Sequence, residues 1–184
     1  MDKSRKLCVV AHCFLNANSK VESSCHKYSS VLKKLIYELI DRDYGIIQLP
    51  CPELMHYGMK RWGHVKEQFD NPFYRKQCRN LLMPIVDQIM EYIQNGYKVD
   101  YIIGVNGSPS CGIDGTCKSD KYIGELSKID DLQELIDSVT YEREYGVYMD
   151  ELRKLLYENG LQISFLGICE SDIDKYDFDK IFNR

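Results

Sequence analysis

The sequence predicts an α/β fold, specifically a three-layer domain of Rossmann or flavodoxin-like type with a mainly parallel sheet. Short apolar runs rich in β-branched residues occur at residues 6–13, 45–51, 101–105 and 161–168. Such runs are typical of strands that are covered on both faces. Segments with apolar residues at helical spacing separate them. Strands that alternate with helices form right-handed, parallel β-α-β units, which is why a layered sheet is expected.

The length and composition indicate one globular domain over residues 1–184, with 44% hydrophobic and 28% charged residues. The net charge of −4 excludes the broad basic field that gathers nucleic acid or anionic lipid. No segment approaches the roughly 20 apolar residues of a membrane span, and the apolar run at 7–11 is too short for a signal-peptide core. We therefore expect a cytoplasmic protein with no nucleic-acid or membrane partner. Its oligomeric state, a homodimer included, stays open.

The first helical pattern follows a polar loop, begins at Ser29 or Ser30 and ends near Gly45. After the second strand, residues 54–71 are polar and aromatic. This stretch predicts an ordered loop with at most one helical turn, and loops of this length are often functional.

A long helix is expected from Asn71, a cap residue that is followed by proline, to a stop at Gly96. Pro84 lies inside this pattern and should kink or split the helix. Residues 112–129 are loop-like, residues 132–138 predict a short helix, and a further helix should end at Gly160. No G-x-G-x-x-G follows the first strand, so a dinucleotide is not indicated.

Three cysteines follow predicted strands at the point where each strand ends: Cys13, Cys51 and Cys111. In a doubly wound sheet the first three strands are usually neighbours in the order 2-1-3. Because adjacent strands lie about 4.8 Å apart, these thiols should cluster at one edge, which is where open α/β sheets bind ligands. The competing interpretation is that they are small buried hydrophobes, a common fate of free cysteine.

The chain has eight cysteines, yet the expected compartment argues for reduced thiols over disulfides. Cys8, Cys78 and Cys169 are interpreted as packing residues, whereas Cys25 and Cys117 lie in predicted loops and stay open.

Clustered thiolates repel one another, so a metal centre is needed to hold them, and thiolate-rich sites indicate zinc or iron–sulfur. Three protein ligands would leave one coordination position open for chemistry, whereas four would make a structural site. Cys117 is the candidate for a fourth thiol. His12 is less suited, because in a strand it would point away from Cys13.

Three short motifs stand at these cysteines: His12-Cys13-Phe14-Leu15-Asn16, Cys51-Pro52-Glu53 and Ser108-Pro109-Ser110-Cys111-Gly112. Together, and in this order, they resemble the DUF523, or TudS-related, family of thiouracil desulfidase-like proteins over roughly the first 120 residues.

The resemblance implies a [4Fe-4S] cluster on Cys13, Cys51 and Cys111, with its fourth iron free to take sulfur from a small thiocarbonyl substrate such as a thio-nucleobase. It also implies Glu53 as the catalytic acid–base group and Ser108 as a catalytic serine. The corresponding reaction is a hydrolysis in which sulfur leaves as sulfide. Two alternatives stay open from the residues themselves: a zinc-dependent hydrolase, and a non-enzymatic iron–sulfur or zinc-binding sensor domain.

Residues around the predicted pocket differ from the usual family pattern, notably Asn16 where a glycine is common. We expect substrate contacts from Asn16 and from four residues after the second strand: Tyr57, Arg61, Trp62 and His64. The competing interpretation is that these four pack on the surface, since tryptophan and arginine are amphipathic. Likewise, Glu53 could cap the turn after Pro52, and Ser108 could bond the turn backbone.

Overall fold

A computed structural model describes residues 3–22 and 28–182 of the chain. The strands are β1 (Lys6–Val10), β2 (Gly45–Gln48), β3 (Lys98–Val105), β4 (Thr116–Lys118), β5 (Thr140–Glu142) and β6 (Ser164–Ile168). The helices are α1 (His12–Leu15), α2 (Lys33–Asp41), α3 (Pro52–Tyr57), α4 (Lys66–Phe69), α5 (Pro72–Gln94), α6 (Leu132–Asp137), α7 (Val147–Glu158) and α8 (Phe178–Phe182). Single 3-10 turns lie at Ala17–Ser19, Leu126–Lys128 and Glu170–Lys175.

The central sheet has four parallel strands in the order β2-β1-β3-β6. Val9 in β1 faces Ile47 on one side and Ile102 on the other. The predicted order 2-1-3 is therefore confirmed, and the carboxyl ends of the first three strands meet at one edge.

Helices cover both faces of this sheet, which confirms the three-layer α/β prediction. α5 and α7 pack against each other, and α5 also packs on β3. On the other face, Arg42 at the end of α2 pairs with Asp179 of α8 at 2.5 Å. Phe182 of α8 lies against Tyr44 and Tyr101. This arrangement is the one that right-handed crossovers produce for these strands.

The expected long helix is present as α5, and it begins where the Asn71 side chain accepts hydrogen bonds from the N–H groups of Phe73 and Tyr74. Gly96 follows the helix with a φ of +79°, a conformation that suits glycine. The predicted break at Pro84 is wrong, since the helix continues through it. Pro84 lies on the exposed side of the helix, where water can bond the carbonyl that the proline leaves free.

Two loop predictions need correction. Residues 54–71 contain most of α3 and all of α4 instead of a single turn. Residues 112–129 contain β4, which pairs antiparallel with β5. α3, α4 and β4 are all short and draw their stability from partners far along the chain, so local patterns did not indicate them.

The structure describes seven cysteines, all with free thiols, and Cys25 lies outside the described residues. Cys8 and Cys78 are fully buried, as expected of packing residues. Cys169 is only half-buried and its Sγ lies 3.1 Å from Ser171 Oγ, so its assignment to the core is wrong. It follows the last strand of the sheet and therefore lies at the open carboxyl edge. Across 3–22 and 28–182, none of the helices is long and apolar enough to cross a bilayer.

Candidate active site

The thiols of Cys13, Cys51 and Cys111 line one cleft at the carboxyl edge of the sheet, as the topology predicted. The cleft has a volume of about 220 Å³. Its walls are formed by Cys13, Ser19, Lys20, Val21, Cys51, Glu53, Arg61, Gly63, His64, Val105, Ser108, Pro109, Ser110 and Cys111.

Cys13 reaches the cleft from α1, which begins directly after β1. The Tyr28 hydroxyl donates to the Cys13 carbonyl oxygen at 3.3 Å and also to the Glu170 carboxylate. Burial raises the pKa of the Cys13 thiol to about 12, and the charge of Glu170 adds to this rise.

Cys51 is the N-cap residue of α3, and its Sγ accepts a hydrogen bond from the Leu54 N–H at 3.4 Å. Pro52 takes the first helical position, where a missing N–H costs nothing. Burial raises the pKa of the Cys51 thiol, while the Leu54 N–H acts in the opposite direction. The Cys-Pro-Glu motif thus both starts the helix and presents the thiol.

Cys111 is almost completely buried. Burial raises the pKa of its thiol well above the usual value, and negative charge on Cys13 and Cys51 would raise it further. The three thiols are therefore close enough to affect one another, and they stay protonated unless a positive centre offsets their charge.

The loop that carries Cys111 is fixed by hydrogen bonds on both sides. Ser108 Oγ accepts from the Cys111 N–H at 3.0 Å, and the Cys111 carbonyl accepts from the Val105 N–H at 2.9 Å. At the start of α7, the N–H groups of Val147 and Tyr148 donate to the carbonyls of residues 109 and 110, each at 3.0 Å. These bonds hold the thiol at a defined position.

Gly146 permits this close approach of α7 to the loop. A Cβ atom at this position would lie 2.6 Å from the Ser110 carbonyl oxygen and 2.8 Å from the Gly112 nitrogen. Both neighbours are backbone atoms, so the clash could not be relieved by a side-chain movement.

Glu53 lies in the first turn of α3, and its carboxylate is held from two sides. Ser110 Oγ donates to Glu53 Oε1 at 2.5 Å, and Arg61 Nε lies 3.5 Å from Glu53 Oε2. Arg61 itself is buried and donates to the carbonyls of Gly58 at 2.9 Å and Ser19 at 2.5 Å. The carboxylate is thus oriented beside the thiols, with its charge compensated by a fixed guanidinium.

His64 lines the cleft and stacks in an aromatic cluster, with its ring centroid 4.7 Å from that of Tyr57 and 4.8 Å from that of Phe69. Burial lowers the pKa of His64, and the neighbouring Arg61 charge acts in the same direction. Its Nδ1 is buried and has no hydrogen-bond partner among the described residues. The His64 ring therefore forms part of the cleft wall, and its Nδ1 is shielded from solvent.

The structure brings Arg61 and His64 to the cleft but not Tyr57, Trp62 or Asn16. Tyr57 supports His64 from behind by ring stacking. The Trp62 side chain is 74% exposed and points to a neighbouring cavity. Asn16 instead orders the turn after α1, where its Oδ1 accepts from the Asn18 N–H at 3.2 Å.

Neither candidate for a fourth ligand lines the cleft. His12 was expected to point away from Cys13 because it would lie in a strand, but it begins α1 instead, so that reason is wrong. The Nε2 atom of His12 lies 3.5 Å from Asn16 Nδ2. Cys117 lies in β4 and its Sγ donates to the His64 carbonyl at 3.5 Å. Within the described ranges, no group of three or more His, Cys, Asp or Glu side chains could hold a metal ion as they stand.

Sequence reasoning missed the side chain of Ser110 as a partner of Glu53. Ser110 is only 1% exposed and bonds Glu53, and its Oγ also lies 3.2 Å from Ser108 Oγ and 3.6 Å from Cys111 Sγ. A serine directly before a candidate ligand was the available signal, but Ser108 drew the functional assignment instead.

Comparison with known proteins identifies the family of this chain. The family described as "Putative 2-thiouracil desulfurase" matches residues 5–162. The chain belongs to this family. The resemblance inferred from the three cysteine motifs is therefore confirmed, and the family match extends beyond the first 120 residues to include α7.

Two individual proteins are similar to this member of the family. An uncharacterized protein of Methanocaldococcus jannaschii, MJ0003, is 31% identical over 156 residues, which are 84% of this chain and 99% of that protein. The solved structure of the [4Fe-4S]-dependent thiouracil desulfidase TudS matches 92% of this chain and 94% of its own, with 14% identity and a TM-score of 0.46. At that distance the structural match carries no argument about the site.

Proposed function

We propose that the chain is a [4Fe-4S]-dependent desulfidase that removes sulfur, as sulfide, from a small thiocarbonyl compound such as a thio-nucleobase. The observation that carries this proposal is the meeting of Cys13, Cys51 and Cys111 in one cleft with Glu53. Membership of a family described as putative 2-thiouracil desulfurases supports the substrate class.

The donor set fits an iron–sulfur cluster. Thiols are the ligands that such clusters use, and these three follow three adjacent strands, so the order of the strands brings them to one edge of the sheet. Their raised pKa values mean that a bound cationic centre is needed to keep them as thiolates. A sensor domain with a closed four-ligand site has no comparable support, because neither Cys117 nor His12 lines the cleft. A zinc hydrolase would also use three ligands and an open position, and the metal analysis below distinguishes it from an iron–sulfur enzyme.

The bound cluster would supply a Lewis-acidic iron with an open position for the substrate's sulfur. Three cysteine ligands leave that position free. We propose that Cys13, Cys51 and Cys111 would hold the cluster, and Glu53 lines the same cleft.

Glu53 is proposed to be the general base. Its carboxylate takes a proton from a water molecule as the water oxygen attacks the thiocarbonyl carbon. The C–S bond then breaks and a C=O bond forms, so that one thiocarbonyl and one water yield one carbonyl and one hydrogen sulfide. No electron enters or leaves, and both protons of the water go to the departing sulfur, one by way of Glu53 and one from the attacking oxygen as its C=O bond forms. Ser110 and Arg61 hold the carboxylate in place for this transfer.

Ser108 is proposed to act through its hydroxyl at the floor of the cleft. Its Oγ already accepts from the Cys111 N–H at 3.0 Å and lies 3.2 Å from Ser110 Oγ, so its proton is available to the substrate or to Ser110. Arg61 and His64 are proposed to contact the heterocycle from the opposite wall. Tyr57 would act by positioning His64, and Asn16 by ordering the turn between Cys13 and Ser19.

We propose a single domain over residues 1–184 that works on a small substrate in the cytoplasm, where reduced thiols persist. No function for a nucleic-acid or membrane partner is proposed.

The test is anaerobic purification and reconstitution, with iron, sulfide and zinc measured per chain and sulfide release followed with 2-thiouracil. Cys13→Ser, Cys51→Ser and Cys111→Ser should each lower bound iron and abolish sulfide release. Cys117→Ser is the matched control, because Cys117 is also a half-buried thiol but lies outside the cleft, and it should retain both.

Glu53→Gln should retain iron and lower kcat by about 10²- to 10⁴-fold, the usual range for a lost general base. Stoichiometric zinc without iron, or full activity of Glu53→Gln, would contradict the proposal.

A further inference from the structure

A second cavity opens beside the cysteine cleft and shares a wall with it. It has a volume of about 680 Å³, three times that of the cleft. Gly63 and His64 line both cavities. The second cavity is lined by Trp62, Gly63, His64, Gln68, Tyr122, Ile123, Gly124, Ile129, Leu132, Leu135 and Ile136. The two cavities therefore lie next to each other along the segment that connects α3 to α4.

The lining of this second cavity is apolar and largely open to solvent. Trp62, Ile123, Leu132 and Ile136 are each more than half exposed. Contiguous exposed apolar side chains are costly in water and commonly mark a binding surface. Cavities of this volume are in the range that holds small organic ligands.

The cysteine cleft is small for a site that binds both a cluster and a substrate. Its volume of about 220 Å³ is below the roughly 300–1,000 Å³ of ordinary ligand pockets, and it has to hold the cluster as well as the reacting end of the substrate. The remainder of the substrate must extend past the cleft, and the cavity beyond His64 adjoins it directly.

We propose that the second cavity binds the non-reacting, apolar part of the substrate. The substrate class is then a planar thiolated heterocycle that bears an alkyl or aromatic substituent, and a bare thio-nucleobase is a minimal substrate only. This inference rests on the proposed desulfidase function, since it assigns the thiocarbonyl end to the cysteine cleft.

His64 supports this arrangement because it stands where the two cavities meet. The buried Nδ1 of His64 has no partner among the described residues, and leaving such an atom without a hydrogen bond is unfavourable. Because this atom is shielded from solvent, the His64 ring would have to turn toward the cavity before a ring N–H of a bound heterocycle could supply the missing hydrogen bond. Burial of the remote substituent would then tighten binding of the whole substrate.

Trp62 makes the proposal directly measurable, because it is the only tryptophan of the chain and it lines the second cavity. Its fluorescence is titrated with uracil and with 6-propyluracil, the oxygen analogues that cannot lose sulfur, in iron-loaded and iron-free protein. Each buried methylene strengthens binding about fourfold, so 6-propyluracil should bind at least tenfold more tightly than uracil in both forms. Equal affinities would overturn the proposal.

Two isoleucines of equal exposure provide the test variant and its control. Ile136 of α6 lines the cavity and is 51% exposed, whereas Ile40 of α2 lines neither the cleft nor this cavity and is 53% exposed. Ile136→Asn should weaken binding of 6-propyluracil at least fivefold and leave uracil unaffected. In turnover it should raise KM for 6-propyl-2-thiouracil with kcat unchanged. Ile40→Asn should change neither value, and equal losses in both variants would contradict the assignment.

The outcomes separate this inference from the function on which it rests. Tight, Ile136-dependent binding of 6-propyluracil without sulfide release from any thiolated compound would refute the desulfidase and keep the cavity as a heterocycle-binding site. Sulfide release with no preference for the propyl compound would refute only the cavity assignment.

Discussion

Ser110 Oγ donates a hydrogen bond of 2.5 Å to Glu53 Oε1 and so joins the loop after β3 to the first turn of α3. The two residues are 57 positions apart in the chain. The loop after β3 presents the candidate ligand Cys111. Through this bond it also orients the Glu53 carboxylate, which lies two residues after the candidate ligand Cys51. The position of the Cys111 loop and the orientation of the Glu53 carboxylate are therefore coupled in this fold.

Replacing Ser110 by alanine should lower kcat for sulfide release about 10- to 100-fold. This corresponds to the loss of one hydrogen bond to a charged group, which contributes about 1.5–3 kcal/mol. KM and bound iron should change little, because the cysteines keep their positions. Steady-state kinetics and iron analysis provide the measurement.

Ser119→Ala is the control for this variant. Ser119 is also buried, and its hydroxyl lies 2.6 Å from that of Ser138, away from the cleft. The kcat of the Ser119→Ala variant should stay near that of the wild-type protein. A Ser110→Ala enzyme as active as Ser119→Ala would remove the hydrogen bond from the mechanism.

Arg61→Gln should lower the free energy of unfolding by about 3 kcal/mol. The side chains of Arg61 and Glu53 are only 3% and 13% exposed, and removing one partner of a buried pair leaves the other charge uncompensated. Denaturant unfolding of the iron-free protein measures this loss.

Lys34→Gln is the matching exposed case, because Lys34 pairs with Asp174 at 3.0 Å with side chains 38% and 91% exposed. Lys34→Gln should lower the free energy of unfolding by less than about 1 kcal/mol. Similar losses for the two variants would show that Arg61 is not a buried structural cation.

Stability of the iron-free protein should fall as the pH rises above 9. Burial raises the pKa of the Cys8 and Cys78 thiols to about 12, from 9.0 in the unfolded chain. Between these values the unfolded chain loses the proton and the folded protein keeps it, so each thiol contributes a slope of about −1.4 kcal/mol per pH unit. The stabilisation is fully present below pH 9.

Cys78→Val keeps an apolar side chain at this fully buried position and removes the titrating group. Denaturant unfolding is measured between pH 8 and 10.5. The free energy of unfolding of Cys78→Val should fall less steeply with pH than that of wild type, by about 1.4 kcal/mol per pH unit, which is the contribution of one thiol. An unchanged slope would show that Cys78 is not protonated and buried as described.

Tyr148→Phe should leave the free energy of unfolding of the iron-free protein unchanged or raise it by about 1 kcal/mol. Tyr148 is fully buried and its hydroxyl has no hydrogen-bond partner among the residues that the structure describes. Removing an unsatisfied buried hydroxyl removes its desolvation cost.

Tyr101→Phe is the contrasting change, because the Tyr101 hydroxyl donates to the Ile181 carbonyl at 2.7 Å. Tyr101→Phe should lower the free energy of unfolding by about 1 kcal/mol. Thermal and denaturant unfolding of both variants provide the comparison, and a larger loss for Tyr148→Phe would reveal a hydrogen bond at that hydroxyl.

The parts of the fold that sequence reasoning predicted are those with a strong local signal. The apolar runs of the central strands, the Asn71 cap and the stop at Gly96 each depend on residues close together in the chain. Pro84 and the short β4–β5 sheet defeated the same reasoning. In the first case solvent exposure decided the outcome, and in the second a strand partner more than 20 residues away did so.

The sequence by itself determined the parallel sheet and the placement of three cysteines at one of its edges. Strand pattern and right-handed connection leave little freedom in where those residues lie. Only the tertiary structure decided which side chains surround the thiols. It placed Ser110 and Arg61 on Glu53, turned Trp62 out to the second cavity and kept Asn16 in a turn. The physical reason is that these contacts depend on how α7 and the α3–α4 connection pack against the loop after β3, which no local pattern records.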